Sequence, residues 1–245
     1  GRIHDLIPEN LEVWMNNGVN RMSIGIQSFN TEVRQMVGRL DTKETVLERL
    51  AALKAYGQCS VVIDLIYGLP GQTMEVWEQD LADLVSSGVD GADLYQLNVF
   101  DGSDLNRDIA SGKVPPAATT AMQGDMFEFG RTYLDARAYR RLSAAHWSAN
   151  NRERSLYNIL AKAGVPMFPF GSGAGGNVDG YGMMLHRALK PYEDMVSRGE
   201  KPFMALMKQS DLQPFVNQVV SQLEQGYLNI NTLVAMDSRL DELNW

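Results

Sequence analysis

The segment Val61–Thr73, VVIDLIYGLPGQT, decides the fold that we predict for this chain. Its run of branched apolar residues is typical of a strand buried on both faces of a parallel sheet. Gly68-Leu69-Pro70-Gly71 ends the strand, and Thr73 can cap a helix whose apolar residues follow it. A strand, a glycine-rich turn and a capped helix make one β/α unit, and ligands of α/β proteins gather at the carboxyl ends of such strands.

Asp64 interrupts this apolar strand. An unpaired carboxylate at such a position would cost free energy, so the side chain needs a partner. It is either an acid that binds a ligand or a structural acid that accepts hydrogen bonds from backbone donors, and both interpretations are open at this point.

The same unit recurs on either side of the segment. Further strands are predicted at 21–27 and 92–99, and helices at 8–15, 30–37, around Val46–Leu53, and up to Ser87. This alternation of strand, helix and glycine is typical of a (β/α) barrel or a doubly wound sheet, so the fold class is α/β.

The remainder of the chain is less regular. A helix is predicted at 119–135 and an edge strand at 138–148, whereas 150–163 has no clean period. The two prolines in 165–170 limit that segment to a sheet edge. From Tyr181 onward the pattern predicts helices, at 191–198, 202–208, 213–225 and beyond Asn229.

Alternation along the three strands places polar side chains on one face of each. The predicted faces are Ser23, Gly25 and Gln27; Val62, Asp64 and Ile66; and Leu94, Gln96 and Asn98. If the three faces coincide, a polar ligand in the mouth of a barrel is expected, and the alternative is a ring of mutually hydrogen-bonded polar groups.

Composition excludes several classes of protein. The net charge of −8 supplies no basic patch for nucleic acid or a membrane surface, and no apolar run is long enough to span a bilayer. The single cysteine, Cys59, excludes a disulfide framework, cannot by itself hold an iron–sulfur cluster, and fits a reducing compartment such as the cytoplasm.

Three smaller features have residue types that can carry chemistry. Gly171–Gly176 (GSGAGG) satisfies the dinucleotide fingerprint, but it lacks the strand before it and the helix after it that the motif needs, so a tight loop is favoured. His146 is a satisfied histidine, a metal ligand or a proton carrier. Arg39 is either a clamp for a carboxylate or a solvated surface arginine.

Several stretches together resemble a known family. RMSIGIQSFNTEVRQMVGR (21–39), VIDLIYGLPGQT (62–73) and LYQLNVF (94–100) look like the radical S-adenosylmethionine (SAM) enzymes of the oxygen-independent coproporphyrinogen oxidase group. From AYRRLSAAHWS (138–148) to GYGMMLHR (180–187) the chain departs from the oxidase and the related haem chaperone, and resembles the anaerobilin synthases.

The resemblance implies a radical SAM C-methyltransferase that opens the haem porphyrin without oxygen and releases iron, using SAM, a [4Fe–4S] cluster and a flavodoxin-like or other electron donor. It implies the second half of a partial (β/α)6 barrel at 1–125, a small α/β extension with the glycine-rich loop at 126–190, and a helical tail at 191–245. The cluster-binding cysteines and the glycine-rich SAM loop of the family would lie before Gly1, so this chain alone should be inactive.

The resemblance also implies site residues. Gln27, Arg39 and Asp64 match positions that hold a second SAM in the oxidase group, and their amide, guanidinium and carboxylate suit an amino acid with a sulfonium. Asn98 matches a SAM contact through its backbone, and Asn177 falls near another. His146 matches a histidine of the oxidase, but Ala145 replaces the acid before it, so we expect a porphyrin contact or a transient iron ligand there.

Two other functions remain open within the same resemblance. One is a haem chaperone or carrier of the same group, although a pure carrier has no need of a second SAM. The other is coproporphyrinogen III oxidation, which the chain after residue 100 disfavours.

Overall fold

The computed structural model describes residues 1–237 and divides the chain into two compact units, Gly1–Arg154 and Ser155 onward. The predicted boundaries at 125 and 190 do not coincide with this division. Among residues 1–237, no helix is both long and apolar enough to cross a membrane.

The first unit is a five-stranded sheet covered by helices on one face. The helices are α1 (Pro8–Asn16), α2 (Thr31–Met36), α3 (Lys43–Ala55), α4 (Met74–Ser87), α5 (Asp104–Ala110) and α6 (Thr120–Asp135). The strands are β1 (Arg21–Gln27), β2 (Ser60–Tyr67), β3 (Gly91–Gln96), β4 (Arg140–Arg141) and β5 (His146–Ser148), in the order β1-β2-β3-β5-β4. Because β1, β2 and β3 are parallel and alternate with helices, the predicted α/β class is confirmed.

The core lies between the sheet and its helices. Ile63 and Leu65 of β2 and Leu94 of β3 meet Trp77 and Leu81 of α4 there, and each is at most 1% exposed. The predicted cap is confirmed, since the Thr73 hydroxyl accepts a hydrogen bond from the Val76 amide at 3.3 Å. Because these apolar side chains pack against the helices, the opposite face of the sheet is the one available to bind a ligand.

The second unit contains a three-stranded antiparallel sheet and short helices. Its strands are β6 (Gly175–Val178), β7 (Tyr181–Leu185) and β8 (Phe203–Lys208), and its helices are α7 (Leu156–Lys162), α8 (Leu189–Ser197), α9 (Gln213–Glu224) and α10 (Ile230–Met236).

Several local predictions were wrong. The segment 202–208 is strand β8, not a helix, and β7 also replaces a predicted helix. Both strands are completed by partners across the sheet, which a local pattern does not reveal. The predicted edge strand at 138–148 is two short strands, β4 and β5, joined by a turn. Of these two, only β4 lies at an edge of the sheet. Residues 150–163 include α7, and the helix expected beyond Asn229 is described only as far as Met236.

Candidate cofactor site

The face of the sheet opposite the helices is polar. In the parallel register Gly25 pairs with Asp64, Asp64 pairs with Asp93, and Asp93 pairs with His146 on the antiparallel strand β5. Residues paired across neighbouring strands lie on the same face, so these side chains form one polar surface. It faces away from the apolar core of the unit.

The face predicted for β3 was wrong by one residue. Register pairs Asp64 with Asp93 and Ile66 with Tyr95, whereas Leu94 points into the core among the helices. The strand also ends at Gln96, before Asn98. The sequence establishes alternation within a strand, but only pairing between strands decides which of its two faces meets Asp64.

Gln27, Arg39 and Asp64, which the sequence singles out from three separate segments, line one cavity of about 520 Å³. Gly25 and residues from the first turn of the chain complete its wall. The volume lies in the range of about 300–1,000 Å³ that is usual for small-molecule sites. The cavity also lies at the carboxyl end of β1, as expected for an α/β ligand site.

The Gln27 side chain folds back over its own strand. Its backbone is in the left-handed region, with φ of 70°, and the pairing with β2 shifts register between Gly25 and Gln27. A Cβ placed on Gly25 would lie 2.7 Å from Gln27 Nε2 and 3.7 Å from Asp64 Oδ2. Glycine at this position therefore provides the space in which the amide approaches the carboxylate.

Two buried charged residues fix the chain just after Gln27. Arg34 donates to the carbonyls of Ile26 and Ser28, the latter at 3.1 Å. Asp80 accepts from the Ser28 hydroxyl at 2.8 Å and from the Phe29 amide at 2.7 Å. These bonds hold the strained backbone at Gln27 in place.

Asp80 also reaches the glycine-rich turn through Gln72. Gln72 Nε2 donates to Asp80 at 3.1 Å, and Gln72 Oε1 accepts from the backbone amides of Gly68 and Leu69 at 2.8 and 3.1 Å. Burial raises the pKa of Asp80 to about 6, and the hydrogen bonds from Ser28, Phe29 and Gln72 limit that rise. One carboxylate thus ties the end of β1 to the end of β2.

Asp64 and Arg39 are the charged side chains that the sequence singles out in this cavity, whose wall also includes Arg2 and Asp5. Burial raises the pKa of Asp64, opposed by a hydrogen bond from the Ser23 hydroxyl at 2.9 Å and assisted by the nearby Asp93. Burial lowers the pKa of Arg39, which follows a glycine in the left-handed conformation at the end of α2. A half-buried carboxylate, a guanidinium and an amide together suit an amino acid that also carries a sulfonium.

His146 lies in a buried chain of charged groups beside this cavity. It is 1% exposed, its Nδ1 is 2.8 Å from Asp93 Oδ1, and its Nε2 is 3.3 Å from Glu153 Oε1. Glu153 Oε2 accepts from Arg21 Nε at 2.9 Å and from the Ser60 hydroxyl at 3.1 Å. Burial disfavours the charged ring, but the hydrogen bond that the ring donates to Asp93 and the nearby carboxylate of Glu153 outweigh burial and raise the pKa of His146 to about 9.

This arrangement changes the interpretation of His146. Both ring nitrogens face carboxylates, so the geometry offers no nitrogen to iron and does not support the expected role as a porphyrin contact or iron ligand. A role for His146 therefore stays a proposal. Within each of the pairs Asp93–His146 and Arg21–Glu153, the positive charge of one partner balances the negative charge of the other. Asp64, in contrast, forms no ion pair within 4 Å among residues 1–237.

Sequence reasoning missed Asp93, Tyr95, Glu153 and Arg21. Asp93 carries the same signal as Asp64, a carboxylate within a buried strand, and could have been found by it. Burial and the neighbouring Asp93 raise the pKa of Tyr95, on the same face, to about 12. Glu153 carries no local signal, because its hydrogen-bond donors Arg21 and Ser60 are 132 and 93 residues away in sequence.

The other two predicted positions lie elsewhere. Asn98 is exposed beyond β3, donates to the Gln96 carbonyl at 3.4 Å, and lines a different cavity. Asn177 lies on β6 in the second unit, where its amide and carbonyl pair with Met167 at 3.0 and 2.8 Å. The loop GSGAGG leads into β6 and not into a helix, so it is not a dinucleotide-binding turn.

The residues present suit SAM and do not suit an iron–sulfur cluster. In residues 1–237 no group of three or more His, Cys, Asp and Glu side chains is placed to hold a metal ion. Cys59 is buried, and burial raises the pKa of its thiol, which disfavours the thiolate that a cluster needs.

The chain is similar to several known proteins. The Radical SAM superfamily model matches residues 1–84. Anaerobilin synthase of Escherichia coli O157:H7 is 36% identical over 211 residues, which cover 86% of this chain and 47% of that protein. Heme chaperone HemW of Lactococcus lactis is 28% identical over 242 residues, which cover 91% of this chain and 63% of that protein.

A solved structure supports the fold independently. Coproporphyrinogen III oxidase (HemN) from Escherichia coli, a radical SAM enzyme, superimposes with a TM-score of 0.79 over 99% of this chain and 57% of that one, at 19% identity. At this identity the likeness concerns the fold alone. The chain spans about half the length of the curated relatives that it matches.

The fold, the polar face and these similarities define a radical SAM protein, a class that uses SAM and a [4Fe–4S] cluster. Within that superfamily the chain belongs to the oxygen-independent coproporphyrinogen oxidase-like group, and over 86% of its length it is similar to anaerobilin synthase.

Proposed function

We propose that the full-length gene product opens the porphyrin ring of haem anaerobically, as a radical SAM C-methyltransferase that releases iron. The observation that carries the proposal is the convergence of Gln27, Arg39 and Asp64 on one cavity, in a chain 36% identical to an anaerobilin synthase over most of its length. Haem as substrate, a flavodoxin-like or other electron donor, and a cytoplasmic location are parts of the same proposal.

Each of the three side chains has a distinct task in holding SAM. Arg39 binds the methionyl carboxylate, Asp64 faces the ammonium or the sulfonium, and Gln27 contributes an amide beside Asp64. When bound, SAM supplies the methyl group and the adenosyl group from which this family generates its radical. Asn98 lies at another cavity and Asn177 lies in the second unit, so both stay predictions from the resemblance and have no task in this cavity.

His146 is proposed as a positioning residue behind this site. As an imidazolium it balances Asp93, while Arg21 balances Glu153, and Asp64 is left as the carboxylate available to a cationic ligand. Without His146 the charge of Asp93, beside Asp64 in the register, would favour protonation of Asp64 and weaken cation binding.

The alternative function is a haem carrier, which the similarity to heme chaperone HemW favours. Anaerobic incubation of the full-length protein with haem, SAM and reductant separates the two functions. Loss of haem absorbance with a methylated linear product and 5′-deoxyadenosine supports the proposal, and haem that survives unchanged supports the carrier.

Variants make the same assay specific to the site. Asp64→Asn is expected to slow product formation at subsaturating SAM, because the cavity loses its carboxylate. Asp125→Asn, on the exposed surface of α6, is the matched control and should behave as wild type. Equal rates for all three proteins would refute the role of Asp64.

A further inference from the structure

A second cavity, of about 400 Å³, lies at the carboxyl end of β3 in the first unit. β5 pairs with β3 only at Gly91–Asp93, and the last bond between them joins the Leu94 amide to the Ala145 carbonyl at 2.8 Å. Beyond that point β3 continues through Tyr95 and Gln96, and no strand within residues 1–237 pairs with it on this side. The cavity occupies the gap that the short strand β5 leaves.

The wall of this cavity is aromatic. Tyr67 and Phe127 both line it, with ring centroids 6.0 Å apart, and Leu94 lies beside them. Phe127 is in turn 6.3 Å from the buried ring of Trp147. A planar ring system gains apolar contact and favourable ring–ring geometry against such a wall.

Arg141 supplies a positive charge at the edge of the same cavity. Its Nε and Nη2 donate to the carbonyls of Ser143 and Ala144 at 3.0 and 3.1 Å. The guanidinium carbon lies 5.9 Å from the ring centre of Phe127 and 5.6 Å from that of Trp147. Among residues 1–237 the Arg141 guanidinium forms hydrogen bonds with backbone carbonyls and no ion pair with a carboxylate, although the chain carries a net charge of −8.

We infer that this cavity is a subsite for a planar aromatic ring that carries a carboxylate, with Arg141 as the anchor of the carboxylate. The turn carbonyls orient the guanidinium, the aromatic wall takes the ring, and the remaining N–H groups meet the anion. The identity of the ring rests on the proposed function, since a porphyrin with its propionates has this chemistry.

The test measures binding of metal-free protoporphyrin IX and of its dimethyl ester to the full-length protein by fluorescence titration. Arg141→Met should weaken binding of the diacid about ten- to hundredfold, the loss typical of a charged hydrogen bond. The ester should bind wild type and Arg141→Met equally weakly. Arg141→Lys should fall between wild type and Arg141→Met for the diacid.

Two further variants keep the result independent of folding. Arg137→Met removes an arginine that stacks on Tyr133 away from this cavity, and it should bind both porphyrins as wild type does. Ala144→Asp, at an exposed position of the cavity wall, offers Arg141 an internal carboxylate and should weaken the diacid selectively. Thermal unfolding confirms that each variant is folded.

Equal affinity of wild type and Arg141→Met for the diacid would overturn the inference. Equal affinity of wild type for the diacid and the ester would also overturn it, and so would a wild-type protein that binds neither porphyrin. Failure of the proposed function is a separate result, a protein that binds porphyrin through Arg141 and yet leaves haem intact in the anaerobic assay.

Discussion

Substitution of Gly25 by alanine tests the arrangement of the SAM cavity directly. The new methyl group would lie 2.7 Å from Gln27 Nε2, whereas ordinary contact begins at 3.4 Å. The amide must therefore retreat by about 0.7 Å, the difference between those distances. Because the obstructed atom is the end of a flexible side chain, the cavity changes and the strand does not.

The expected effects on stability and on binding have opposite signs. Gly25 has no positive φ, so alanine fits the strand backbone and should leave stability unchanged or raise it by about 0.5–1 kcal/mol. Displacement of the Gln27 amide removes one hydrogen bond to bound SAM, which is worth about 0.5–1.5 kcal/mol. The dissociation constant of SAM should therefore rise by up to about tenfold.

Calorimetric titration of the full-length protein with SAM measures the affinity, and thermal unfolding measures the stability. Gly124→Ala is the matched control, because a Cβ there meets nothing within 4 Å and alanine favours the helix. The control should be slightly more stable and bind SAM as wild type. A Gly25→Ala protein that is stable and binds SAM with wild-type affinity would refute the placement of Gln27 in the site.

Four further predictions concern the buried carboxylates and the histidine. Burial raises the pKa of Asp64, so this carboxylate is protonated at a higher pH than an ordinary aspartate, and the affinity for SAM should fall as the pH is lowered through that range. Asp64→Asn should flatten this pH dependence in titrations with SAM. It should have no such effect in titrations with S-adenosylhomocysteine, which lacks the sulfonium. Because the pKa of His146 is raised to about 9 in the folded protein, the charged ring stabilises the fold below pH 6.5, and this contribution is lost as the pH rises to about 9. The free energy of unfolding of wild type, measured with urea, should therefore fall between these pH values, and that of His146→Gln should show no such fall. Asp80 binds protons more tightly in the folded state, so its contribution to stability falls as pH rises from about 4 to about 6, and Asp80→Asn should abolish that slope. Asp80→Ala, which leaves buried donors of Ser28 and Phe29 unpaired, should cost about 2–5 kcal/mol, and a loss below about 1 kcal/mol would contradict the structure.

Local chemistry was enough to predict much of the first unit. The strands at 21–27 and 61–67, the glycine-rich turn and the cap at Thr73 follow from short-range preferences, and the structure confirms them. Gln27, Arg39 and Asp64 could be proposed because each stands at the end or within the buried part of a recognisable element, and the resemblance to a family placed them together.

Other features were decided only by tertiary structure. Asp93 and not Gln96 stands beside Asp64, because hydrogen bonds between strands set the register and a shift of one residue reverses the face. The strand at 203–208 forms because β7 provides its partner, and its own sequence pattern favoured a helix. Glu153 meets Arg21 and Ser60 because the fold brings together segments that are 132 and 93 residues apart in sequence. The fold also excludes water from these charges, so only neutralising partners such as Arg21 and His146 make that burial tolerable.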